Sequence, residues 1–99
     1  MAEPEHITPA DGNVFEDIGF PPDEARNLKI RAMLMLAAEE FIEERSLTQA
    51  QAAELMGVSQ PRISDLVRGR INQFTIDSLI NMLTNAGVAV EVRAAGKVA

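Results

Sequence analysis

The stretch TQAQAAELMGVSQPRISDLVRG, residues 48–69, decides the fold. It reads as two short helices joined by a tight turn. Thr48 opens the first. Its hydroxyl can accept from the backbone N–H of Gln51, and Gln51 can reach back to the N–H of Thr48, forming a capping box. Ala50, Ala52, Ala53, Leu55 and Met56 continue a good helix. Gly57 ends it, because the residue after a helix usually needs positive φ and glycine reaches that cheaply. Val58 fills the turn and Ser59 stands as the next N-cap. Pro61 falls in a first turn, where its missing N–H costs nothing. The second helix is predicted to run to about Arg68, with Gly69 stopping it.

Spacing says how the two helices meet. Ala52, Met56, Val58, Ile63 and Leu66 can point into one small core, and Ala53 is small where the second helix must cross closely. Two helices joined by a short Gly-containing turn form a helix-turn-helix. An αα-hairpin with no role on DNA shows the same spacing, so the outward residues must separate the two. Gln60, Arg62 and Ser64 lie near the N-terminus of the second helix, the end that contacts base edges in such motifs. Arg pairs in bidentate fashion with guanine, and Gln with adenine. Gln60, Pro61, Arg62 and Ser64 are therefore the expected base-reading set, with Pro61 placed to touch a thymine methyl. Thr48, Gln49, Ser59, Arg68, Arg70 and Asn72 are expected on phosphates. Gln49 sits at a helix N-terminus, which favours anions. For Arg68 the competing role is partner to the helix C-terminal dipole.

The segment LTQAQAAELMGVSQPRISDLVRGR resembles the helix-turn-helix of the XRE (phage-repressor-like) family. The wider order is NVFEDIGF, a long helix, this motif, an apolar helix and a short strand. It resembles the subgroup of HigA-type antitoxins and related regulators. The likeness covers about residues 13 to 93. It implies an all-α, lambda-repressor-like bundle of about four main helices with a short C-terminal β-strand. It further implies a protein that neutralises a small basic ribonuclease toxin and represses its own operon.

Ninety-nine residues suit one domain with a modest core. There is no cysteine, hence no disulfide framework and no thiolate metal site. No apolar run approaches a membrane span, and MAEPEHITP is too acidic for a signal peptide, so a cytoplasmic protein is expected. The net charge of −6 runs against the basic footprint of a DNA binder. Its distribution answers part of this objection. The first 24 residues hold seven acids and no Lys or Arg, while the remainder carries nine bases against eight acids. Binding depends on the local field near the phosphates, and a homodimer doubles the patch.

Residues 1–12 are polar, with two prolines and a glycine, and are expected as a disordered tail. His6, the single histidine, reads there as solvated. Val14, Phe15, Ile18 and Phe20 are too many apolar groups for a free tail. They either pack on the body or bind a partner. Asp23 is the expected N-cap of a long helix to about Arg45. Ile30, Leu34, Ala38 and Phe41 form its core face, joined by Leu47. The run AMLMLAA is apolar around nearly the whole cylinder, and Leu28, Met35 and Ile42 suggest a second contact surface. The N-terminal segment, a second subunit or a partner could cover it. Residues 70–74 are expected as a loop. Thr75 caps a fourth helix, whose Ile76, Leu79, Ile80, Met82 and Leu83 close the core, and Gly87 ends it.

Residues 88–93 alternate strictly and read as the one strand. A lone strand cannot satisfy its own backbone. It can pair with residues 13–18, with a partner's sheet edge, or with itself in a second subunit. The last is favoured and makes Val88, Val90 and Val92 the dimerisation residues. Residues 13–95 thus form the helix-turn-helix domain, and residues 96–99 a frayed end.

The reading that follows is a dimeric, sequence-specific repressor bound to double-stranded operator DNA. It has no cofactor, no metal and no membrane contact. The alternative is a protein-interaction module that uses a helix-turn-helix fold without specific DNA readout. An enzyme is not expected. The body has no histidine or cysteine, and there is no Gly-rich phosphate loop or carboxylate cluster with metal spacing.

Overall fold

The computed structural model describes residues 5–7 and 14–94. In chain order they form β1 (Glu5–Ile7), α1 (Val14–Asp17), α2 (Pro22–Glu44), α3 (Gln49–Met56), α4 (Gln60–Val67), a 3-10 turn (Ile71–Gln73), α5 (Ile76–Asn85) and β2 (Val90–Val92). The all-α helix-turn-helix architecture is the one expected. The differences lie at the edges.

The long helix begins two residues earlier than an N-cap at Asp23 would place it. Pro21 occupies the N-cap position and Pro22 is the first helical residue, where its fixed φ suits a helix. Asp23 and Glu24 then lie in the first turn, where negative charge meets the positive end of the dipole. Residues 13–18, weighed as a strand partner, instead include α1. That short helix packs on α2, with Phe15 and Phe20 in an edge-to-face pair at 6.1 Å.

Helix α2 is the hub, packed by α1, β1, α4, α5 and the 3-10 turn. Leu34, Ala38 and Phe41 bury the expected face, and Ala52, Met56, Ile63, Leu66, Leu79, Met82 and Leu83 complete the core. Leu28 and Met35 are also buried within the chain, so neither is left over for a second subunit. The apolar residue that stays open on α2 is Leu36, 54% exposed. Phe74, expected in a loop, is only 2% exposed and acts as a core residue between the 3-10 turn and α5.

Residues 5–7, part of the expected tail, form a strand. β1 pairs in parallel with β2, in the register Glu5↔Val90, His6↔Glu91 and Ile7↔Val92. The favoured pairing of this strand with a second subunit is thus replaced, on one side, by a pairing inside the chain. Parallel neighbours need a long crossover, and here the whole helical bundle supplies it. β2 is shorter than the six residues that alternate in sequence. Val88 and Val90 pack partly on the core, while Val92 is exposed. The remainder of the 1–12 tail and the 96–99 end lie outside the described residues.

Candidate nucleic-acid interface

The two-helix unit is built as its capping residues dictate. The Gln51 N–H donates to Thr48 Oγ1 at 3.1 Å, and the Thr48 N–H donates to Gln51 Oε1 at 2.9 Å. Gly57 closes α3 in the left-handed region at φ +71°. The turn is also held from outside the motif, since Asn85 Nδ2 on α5 donates to the Met56 carbonyl at 3.1 Å. Ser59 occupies the N-cap position of α4, but its side chain makes no capping bond.

With Ile63 and Leu66 fully buried and about 100° of rotation per residue, Pro61, Ser64 and Arg68 fall on the outer side of α4. Gln60 and Pro61 are exposed at its first turn, and Ser64 is half-buried. Thr48 and Gln49 are exposed at the start of α3, and Ser59, Arg68, Arg70 and Asn72 are exposed as well. Apart from Arg62, the expected residues on α3, α4 and the turn that follows are therefore exposed or partly exposed.

Arg62 stands apart from the others. It is half-buried, on the flank of α4 that faces the 3-10 turn. Its Nη1 donates to the Gln73 carbonyl at 2.8 Å, and its guanidinium lies 5.0 Å from the Phe74 ring centre. Arg31 on α2 holds the same segment, with Nη1 reaching the carbonyls of Ile71 at 3.2 Å and Phe74 at 3.3 Å. Its Nε donates to Asn27 Oδ1 at 2.7 Å. Two arginines thus bind three carbonyls of residues 71–74, the segment that presents Asn72. Arg70 pairs with Asp65 at 3.5 Å, while Arg68 is in no such ion pair among the described residues.

The model of the helix-turn-helix domain family matches residues 14–95. The chain belongs to the helix-turn-helix domain family. A solved structure titled "Putative XRE Family Transcriptional Regulator" is similar to it at 31% identity and a TM-score of 0.64, covering 78% of this chain and 84% of that one. No curated protein matches the chain. Among the described residues no helix is long and apolar enough to cross a membrane.

Within this family fold, sequence reasoning missed Arg31 and the double hold on residues 71–74. One signal was available: Arg31 follows Ile30 and precedes the apolar run 32–38, where a charge needs a partner close by. Nothing in the spacing indicates that the partners are backbone carbonyls some forty residues away. The Asp65–Arg70 pair also escaped notice, because it closes only when Gly69 turns the chain back.

Proposed function

We propose that this helix-turn-helix protein is a sequence-specific DNA-binding transcriptional regulator of the XRE type, acting as a dimeric repressor. The observation that carries the reading is the first turn of α4. Ile63 is sealed in the core, Gln60 and Pro61 are exposed, and half-buried Ser64 follows on the outer side, behind a capped, Gly-closed α3. Gln60 would read adenine and Pro61 a thymine methyl. Thr48, Gln49, Ser59, Arg68, Arg70 and Asn72 would fix the backbone. Arg62 joins the readers only by leaving Gln73 and Phe74.

The test is fluorescence anisotropy on the DNA just upstream of the gene, against a scrambled duplex, at several salt concentrations. Specific binding predicts a preference of roughly 10³-fold or more and a steep salt slope. Equal, weak binding to both duplexes supports the rival reading, a protein-interaction module, which the net charge of −6 favours.

The dimer reading rests on the sheet. It has two strands, so each is an edge, and Val92 is 61% exposed. A second copy joining there must set the two α4 helices roughly 34 Å apart to enter successive major grooves. Sedimentation of the free protein and a half-site map of the operator test this together.

A further layer is an antitoxin role toward a small basic ribonuclease toxin. It is supported by the acidic first 24 residues and by exposed Val14, Ile18 and Phe20. Purification from native cells with no basic protein encoded alongside would remove this layer and leave the DNA reading standing.

A further inference from the structure

A groove runs between α2 and the end of α4. Leu36, Ile42, Leu47 and Val67 form its apolar lining, within a volume of about 430 Å³. Leu36 and Val67 are each more than half exposed. A second hollow shares Leu36 and Glu39 and extends the groove toward Phe15. The charged residues along both hollows are Glu39, Glu40 and Glu43, and no Lys or Arg lines either of them. Burial, and then Glu43, hold the Glu39 carboxyl above its ordinary range, so a cation placed there relieves an existing penalty.

The lining narrows the choice of occupant. The carboxylates disfavour the DNA backbone along the groove. A two-fold contact between copies sets the same patch against itself, which puts six carboxylates and no Lys or Arg from the groove lining into one interface. An apolar surface edged by one sign of charge matches an amphipathic helix edged by the other sign, seated through residues at i, i+3 or i+4, and i+7. From Ala32 to Glu43, α2 rises roughly 16 Å, room for about three turns of a crossing helix.

We infer that this groove is a docking site for an amphipathic helix of a partner protein whose apolar stripe is flanked by Lys or Arg. The helix seats its apolar residues on Leu36 and Val67 and sets its cations against Glu39 and Glu43. Of the residues proposed for DNA, Gln49 alone lines the groove, while Gln60, Pro61 and Ser64 line neither hollow, so the helix site is argued from Leu36, Glu39, Glu43 and Val67 and not from the DNA reading.

The full chain, isotopically labelled, is titrated with a synthetic helix of roughly 18 residues that carries a Leu stripe flanked by Lys. Two control helices have Glu in place of Lys, or the same residues scrambled. Saturable shifts at Leu36, Glu39 and Val67 with the Lys helix alone support the site. So does a loss of about tenfold or more in Leu36→Asp and in the Glu39→Gln/Glu43→Gln pair. Leu36 is exposed, so Leu36→Asp keeps a dispersed spectrum, and the Gln pair tests the charge separately. The proposal is overturned if no helix binds, if Lys and Glu helices bind alike, or if the shifts fall on the outer side of α4. It is also overturned if Leu36→Asp turns a dimer into a monomer in sedimentation, which makes the groove a contact between copies. DNA affinity measured on the same samples reports separately on the repressor reading.

Discussion

Arg62 donates to the Gln73 carbonyl at 2.8 Å while its guanidinium rests over Phe74. The bond joins α4 to the turn that carries Asn72. A residue that sequence logic places on a base is, in the free protein, a brace between α4 and the segment before α5. Both roles can be tested on one side chain.

Arg62→Ala is expected to lose roughly 1–3 kcal/mol of operator affinity and to relax specificity at one base position. It should also lower stability by about 0.5–1 kcal/mol through the lost cation–π contact. Binding to a panel of single-base operator variants reads the first effect, and thermal unfolding reads the second. An equal loss on every duplex sinks the base-reading role and leaves Arg62 as a positioning residue for the turn.

Arg31→Ala removes both α2 bonds to residues 71–74. Charge-assisted bonds of this kind contribute roughly 1.5–3 kcal/mol each when well shielded, and these are partly solvated. A destabilisation of about 1–2 kcal/mol is expected, with faster amide exchange through residues 71–74. Unchanged unfolding and exchange would show that the turn holds without α2.

Gly57 and Gly69 share φ +71°, but their surroundings differ. An added Cβ at Gly57 meets Asn85 Nδ2 at 2.9 Å, while at Gly69 it meets nothing within 4 Å. Gly57→Ala must therefore pay for the left-handed backbone and also displace the amide that caps the Met56 carbonyl. Gly69→Ala carries the backbone term alone, about 1–2 kcal/mol. Chemical denaturation of the two variants should place Gly57→Ala as the less stable. Equal losses would mean Asn85 moves aside freely.

Glu39 has a raised pKa from burial first and Glu43 second. A carboxyl that is harder to ionise when folded binds its proton more tightly there than in the unfolded chain. Its contribution therefore favours folding below the ordinary glutamate range and is lost as pH rises through the folded pKa. Glu39→Gln is expected to stabilise the protein at neutral pH by at least about 0.2–0.5 kcal/mol, the size of a like-charge pair at i, i+4, with relief of the burial penalty adding to it. The gain should vanish in acid. A gain that persists at low pH points to packing and not to charge.

Short-range chemistry was legible in the sequence because its causes are local. The capping box of Thr48 and Gln51, the left-handed Gly57, the inward set Ala52, Met56, Ile63 and Leu66, and the start of α5 at Thr75 each depend on residues within a turn or two. Together they carry the helix-turn-helix and the outward placement of Gln60, Pro61 and Ser64. Tertiary structure decided what depends on distant partners. Arg31 and Arg62 find carbonyls of residues 71–74, Phe74 becomes core, and Leu28 and Met35 are buried inside the chain. β2 meets β1, a pairing set by where the bundle brings the two ends and invisible to any local pattern. The groove over Leu36 has the same origin. Periodicity marks α2 as apolar on too many sides, and only the packed fold shows which side stays open, since burial is a property of neighbours and not of sequence.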